Sequence, residues 1–249
     1  MKINKPFSLL LIANFVLLGL VSPAIAERKQ GTTRAADFGL PTHRRDGGSR
    51  GPQDSCVADS ENRNLMAIIP EKTVGVSAST SPELFFYVPK LENRSTLEFV
   101  LRSEEDKLIY EAFLTTKGDG IMSVEIPAYV SSKMAGADQN YHWYLSMICD
   151  HQQRSRDIVV EGWMRQEAMD VATKKELTTA NSIEKAEVYQ EQGLWFDALS
   201  ALAEKPDSIA EKAIMRHKWS EMLASVGLAE LAAEPLVETE IVEDSTNSF

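Results

Sequence analysis

Histidine and cysteine, the side chains that most often carry catalysis or hold a metal, are scarce here: 249 residues contain four histidines and two cysteines. There is no Cys-x-x-Cys pair, which removes thioredoxin-like redox chemistry, and the spacing of Cys149, Asp150, His151 and His142 matches no strong metal-ligand pattern. No Gly-x-Ser-x-Gly elbow supplies a serine nucleophile. The run Gly47-Gly48-Ser49-Arg50-Gly51 lacks the Gly-Lys-Ser/Thr ending and the preceding strand of a phosphate-cradling loop. Positive charge is also short, with 26 Lys and Arg against 37 Asp and Glu and a formal charge of −11, so nucleic acid is not an expected partner. After the first residues no apolar stretch is long enough to cross a bilayer.

That first apolar stretch has a different meaning. Lys2 and Lys5 precede a hydrophobic run from Phe7 to Val21, and Ser22-Pro23-Ala24-Ile25-Ala26 ends it with an Ala-x-Ala signal. A run of about fifteen residues is short for a span and suits a secretory signal peptide, 1–26, cleaved after Ala26. No cysteine follows it to take a lipid. The expectation is an exported protein, periplasmic or extracellular. In such a compartment the only two cysteines favour a bridge, Cys56 to Cys149, which closes a loop of about 93 residues and stabilises by roughly 4 to 5 kcal/mol in the chain-entropy model. Residues 27–55 collect Arg28, Lys29, Arg34, Arg44, Arg45 and Arg50 among Gly, Thr and Pro, with almost no apolar periodicity. They read as a disordered basic linker whose membrane contact, if any, is transient.

From Cys56 the chain reads as strands. The central one is Tyr141 to Cys149, where alternation puts Tyr141, Trp143, Leu145, Met147 and Cys149 on one face and His142 and Ser146 on the other. Other runs are Leu65–Ile69, Leu84–Val88, Leu97–Leu101, Lys107–Leu114, Met122–Ile126 and Ile158–Met164, with a hairpin turn at Ser103-Glu104-Glu105-Asp106. Seven short strands around a central tryptophan predict an immunoglobulin-like antiparallel β-sandwich over 56–168.

After Met164 the period changes to that of helices. Thr173 with Glu176, and Ser208 with Glu211, read as capping boxes, while Gly193 and Gly227 read as C-terminal caps. The two glycines are 34 residues apart, and Tyr189-x3-Gly193-x3-Asp197-Ala198-Leu199 resembles the small-residue crossing of a tetratricopeptide hairpin. Two units are too few to stand alone, so 169–237 is expected to pack on the sandwich, with Trp143, Trp163, Trp195 and Tyr189 as core and Trp195 and Trp219 between the layers. Residues 238–249 read as an acidic disordered tail.

Glu98-Phe99-Val100-Leu101, Tyr141-His142-Trp143-Tyr144, Val160-Glu161-Gly162-Trp163 and Gly193-Leu194-Trp195-Phe196-Asp197-Ala198-Leu199 together resemble the cyanobacterial domain of unknown function 928 family. The likeness spans roughly residues 48–237. It implies a cyanobacterial exported protein in which sandwich and helices form one unit, and it carries over no catalytic, cofactor-binding or metal-binding residue. The expected role is a non-catalytic binding or scaffold module with a protein or glycan partner in the cell envelope. The alternatives are an envelope hydrolase near His142 and His151, with Glu98, Glu125 and Glu161 as candidate carboxylates, and a sensor or secretion accessory. No cofactor is expected, and the oligomeric state is open.

Overall fold

Leu65–Ile69 and Leu84–Val88 are apolar at every position, a pattern that requires cover on both faces of a strand, whereas Leu97–Leu101 alternates and needs cover on one. A computed structural model, which describes residues 44–45, 64–71, 73–136 and 139–244, shows the architecture that meets both demands. Ala26 and Cys56 lie outside the described residues, as does most of the range read as a linker. The fold is mixed, with five α-helices and two sheets of three and six strands.

The strands are β1 Met66–Ala67, β2 Gly75–Ser77, β3 Glu83–Ser103, β4 Leu108–Glu125, β5 Tyr141–Ile148, β6 Ile158–Gln166 and β7 Glu240–Asp244. The 21-residue β3 and 18-residue β4 form one long hairpin, closed at the expected turn, where Ser103 N–H donates to Lys107 O and Asp106 takes φ 63°. The sequence divides this hairpin into four separate runs because Pro89 and Lys117-Gly118-Asp119-Gly120 look like ends. They are instead its corner. The register shifts between Lys90 and Ser95, Gly118 and Asp119 have φ near +70° and 66°, and a Cβ on Gly118 would lie 2.4 Å from Pro89 O. A proline and a left-handed glycine facing each other let both strands bend and pass from one sheet into the other.

Beyond the corner, the first half of β3 and the second half of β4 join β1 as the small sheet. The other halves lie in the order β2-β6-β5-β3-β4-β7, antiparallel except for β2 against β6. The two sheets share a core. Leu84, Phe86 and Val88 meet Leu97, Phe99, Leu101, Trp143, Leu145 and Val160, and the Phe86 and Trp143 rings contact edge to face with centroids 5.4 Å apart. Trp143 also lies over the backbone of Gly162, its partner across the strands: a Cβ there would fall 2.4 Å from the indole.

On its other face the small sheet presents Met66, Ile68, Phe85, Tyr87 and Ile121 to the helices. These are α1 Ala128–Met134, α2 Val171–Leu177, α3 Ser182–Gln192, α4 Trp195–Ala203 and α5 Ile209–Ser225, of which α3, α4 and α5 make the layer. Trp219 of α5 meets Phe85 edge to face at 5.8 Å, and Trp195 donates its indole N–H to Ile68 O at 2.9 Å. Tyr189 is half-buried in the same cluster. The molecule thus has three layers, with the small sheet between the large sheet and the helices.

Several local readings change. The helix cap near Thr173 is Asp170, which accepts the Ala172 and Thr173 N–H groups, and α3 begins separately at a capping box of Asn181 with Glu184. Ser208 caps α5 as expected, accepting the Glu211 N–H, and Gly193 and Gly227 close their helices with φ of 75° and 74°. The chain end expected to be a disordered tail is ordered through Asp244: Ile121 donates its N–H to Pro235 O and accepts the Val237 N–H, and β7 pairs with β4 from Ala112 to Thr115. This strap covers the free edge of β4 in both sheets, which explains why an acidic, weakly apolar segment is held at all. Arg44 and Arg45, within the range read as a linker, are also fixed. Arg44 is 7% exposed and donates to Ile69 O, Val226 O and Glu71, while Arg45 pairs with Glu230 at 2.8 Å.

Candidate functional site

The candidate histidines come first. His142 and His151 flank β5, and the seven residues from His142 to Ile148 already span about 20 Å, so an extended strand keeps them apart. His151 is exposed in a turn, where Asp150 accepts the Gln152 N–H. His142 is on the outer face of the large sheet. It stacks flat on Trp163 with ring centroids 4.2 Å apart, its Nδ1 is 2.7 Å from the Tyr144 hydroxyl, and its Nε2 lies 3.2 Å from Glu161 Oε2. Cross-strand register produces this group, because His142 faces Trp163 and Tyr144 faces Glu161. Burial, reinforced by the Glu161 charge, pushes the Tyr144 phenol above its ordinary pKa.

The three candidate carboxylates do not converge. Glu98 is ion-paired with Arg154, Glu161 sits against His142, and Glu125 is exposed at the far end of β4, in register with Glu83. Three hollows, at α4 and α5, beside Phe85 and Ile121, and beside Lys107 and Tyr141, are lined by none of His142, Tyr144 and Glu161. A Tyr-His-Glu relay of this kind orders a sheet face, and substrate chemistry on it would need a concave site that those three hollows do not provide. No group of three or more His, Cys, Asp or Glu side chains that could hold a metal occurs among the described residues.

The concave surface lies elsewhere, where α4, α5 and the C-terminal strap meet. A groove of about 440 Å³ there has a floor of Leu202, Met215 and Trp219 and walls that include Pro206, Pro235 and Leu236. A second hollow of about 250 Å³ continues it toward Phe85 and Ile121 of the small sheet, sharing Ala203, Glu204 and Leu236. Three cations, Lys205, Lys212 and Arg216, stand on its border, and Glu204 and Glu234 are its acidic residues. On α5 the spacing of Lys212, Met215, Arg216 and Trp219 follows i, i+3, i+4 and i+7, which places all four on one face of the helix. The sequence reading missed this site. It identified α5 from its cap and apolar period, but the groove also needs the strap, whose return to the sheet no local pattern announces.

The interior contains one further charged group. Asp197, in the first turn of α4, is 5% exposed and accepts the Ala78 N–H at 3.0 Å and the Ser77 hydroxyl at 3.2 Å. Burial pushes its pKa up to about 6 against the pull of those hydrogen bonds. It ties α4 to the exit of β2. Cys149, just past β5, is half-buried with its Sγ 3.8 Å from Met147 O.

The family model of the Domain of Unknown Function DUF928 matches residues 45–236, more than three quarters of the chain, and the chain belongs to that family. A comparison with curated proteins gives no match.

Proposed function

We propose that this protein is a non-catalytic protein-binding module of the cell envelope. The groove on its helical layer carries that reading: it is concave, floored by apolar side chains, bordered by charge and built from three separate elements. A protein is favoured over a glycan because sugar recognition uses exposed aromatic faces. Among the described residues Tyr129, 44% exposed, is the most open aromatic, and the others are buried or half-buried. The immunoglobulin-like and tetratricopeptide-like likenesses belong to the same proposal. Two sheets over one core support the first, although a hairpin running through both layers gives a different strand order. The α3 and α4 pair, with buried Ala186 and Ala198 and a left-handed Gly193 between the helices, supports the second.

Export through residues 1–26 and a Cys56 to Cys149 bridge complete the reading. Peptide mapping of the unreduced protein tests both at once, since a mature start at Glu27 and a linked pair of cysteine peptides are the expected products. Two free thiols in a chain that retains Met1 would remove the compartment. The role itself is tested by chemical crosslinking in intact envelopes followed by recovery of the full chain. One recurrent protein partner is expected, and recovery of the chain alone would end the proposal.

A hydrolase reading has one observation in its favour, the Tyr144, His142 and Glu161 relay, but the relay lines none of the three hollows described above. A membrane-docking sensor or secretion accessory would draw on the basic segment. Arg44 is buried in the fold and Arg45 is paired with Glu230 at its surface, which leaves four of the six cations. Among the described residues no helix is long and apolar enough to cross a membrane.

A further inference from the structure

We infer that the groove between α4, α5 and the C-terminal strap takes an acidic segment of a partner protein, with carboxylates on Lys205, Lys212 and Arg216 and an apolar side chain over Trp219 and Met215. This rests on the binding-module reading and names its partner chemistry. The first observation is charge. In a chain of formal charge −11, three cations border one hollow, and none of them makes an ion pair with any described residue. Other cations nearby are used: Lys218 pairs with Glu187 at 2.6 Å, and Arg45 with Glu230 at 2.8 Å. Of the two carboxylates at the groove, Glu204 is turned toward α3, where it accepts the Ser182 hydroxyl at 2.5 Å and lies 4.0 Å from Lys185.

The second observation is the floor. Met215 and Trp219 are 3% and 7% exposed and belong to the core, yet their outer edges form the bottom of the groove beside Leu202. A ligand carrying charge alone would leave those edges wet, and a purely apolar one would leave the three bordering cations without partners. An acidic peptide with an interposed apolar residue satisfies both. Its pitch fits as well. Lys212 and Arg216 are one helical turn apart, about 6 Å along the axis, while alternate residues of an extended chain are about 6.7 Å apart. A fatty acid offers one carboxylate to three cations, and the hollow is open rather than enclosed as such a ligand requires.

The probe is a fluorescein-labelled peptide with a Glu-Leu-Glu-Leu-Glu centre in Gly-Ser flanks, titrated into the full chain by anisotropy. Glu-Ser-Glu-Ser-Glu and Lys-Leu-Lys-Leu-Lys versions serve as controls. Binding by the first peptide is expected, at least tenfold tighter than either control. The Lys212→Glu, Arg216→Glu double variant should weaken it by at least tenfold, as should raising salt from 50 to 300 mM. Both positions are exposed, so an unchanged Tm and circular dichroism spectrum establish that the variant is folded. Equal binding of the lysine peptide, indifference to the charge reversal, displacement by palmitate, or no binding at millimolar protein each overturns the assignment. Tighter binding of a peptide comprising residues 238–249 would overturn it too, by making the occupant a second copy of this chain. In envelope crosslinking, a partner recovered equally by wild type and double variant would sink the groove and leave the binding module standing. A partner recovered by neither would sink both.

Discussion

The two sheets share two strands, β3 and β4, yet they obey different rules. The small sheet lies between layers, so Phe86 faces Trp143 while its neighbours Phe85 and Tyr87 face the helices. The large sheet has one wet face, where Val100, Arg102, His142 and Tyr144 are at most half-buried or held in polar groups. Identity of the strand does not set its composition; the number of covered faces does. The corner at Pro89 and Gly118 is where one rule gives way to the other.

The contrast breaks if substitutions in the two sheets cost the same. Phe86→Ala should remove about 3 to 5 kcal/mol of stability in urea unfolding, and Val100→Ala on the wet face less than about 1. Comparable losses would mean that the large sheet's outer face is covered in solution.

Asp197 extends the comparison to the junction of α4 with β2. Its folded pKa of about 6 stands above the ordinary carboxylate value, so the folded protein holds the extra proton between about pH 4 and 6. The contribution of this group to stability therefore falls as pH rises through that window, by about 2 to 3 kcal/mol, and is smaller at pH 7 than at pH 4. Unfolding midpoints across that range should show the slope, and Asp197→Asn should flatten it. A slope that survives the substitution would place the titration elsewhere.

Gly162→Ala tests the shared core from the large-sheet side. With the new Cβ 2.4 Å from the Trp143 ring and 3.0 Å from Ile69 Cδ1, a loss of about 1 to 3 kcal/mol is expected, together with an altered near-ultraviolet spectrum. An unperturbed spectrum would show that the indole does not rest on this strand. The smallest effect belongs to the wet face. Tyr144→Phe removes one hydrogen bond to His142 and should cost about 1 kcal/mol. A loss as large as that of Phe86→Ala would make the relay a structural keystone.

Much of this was legible beforehand for a physical reason. The inward face of β5, the hairpin turn at Ser103, the Ser208 cap and the glycine caps are local events, decided by side-chain alternation, hydrogen-bond reach or a positive φ within a few residues. The single bent hairpin was not legible. A proline and a glycine-rich run signal an end in a flat sheet and a corner in a folded one, and only the facing strand distinguishes them. The same holds for His142: alternation puts it on the face opposite Trp143, while Trp163 and Glu161, about twenty residues away, bury it there.

By itself the sequence determined the periods: which stretches extend, which wind into helices, which faces are apolar and which residues cap them, because these depend on neighbours within one turn or one strand. Only the tertiary structure decided that one hairpin serves two sheets, that the acidic end returns as a strap along β4, and that Lys212 and Arg216 border a groove floored by Trp219. Each of those depends on segments far apart in the chain, and the free energy that brings them together comes from burying both faces of the small sheet at once.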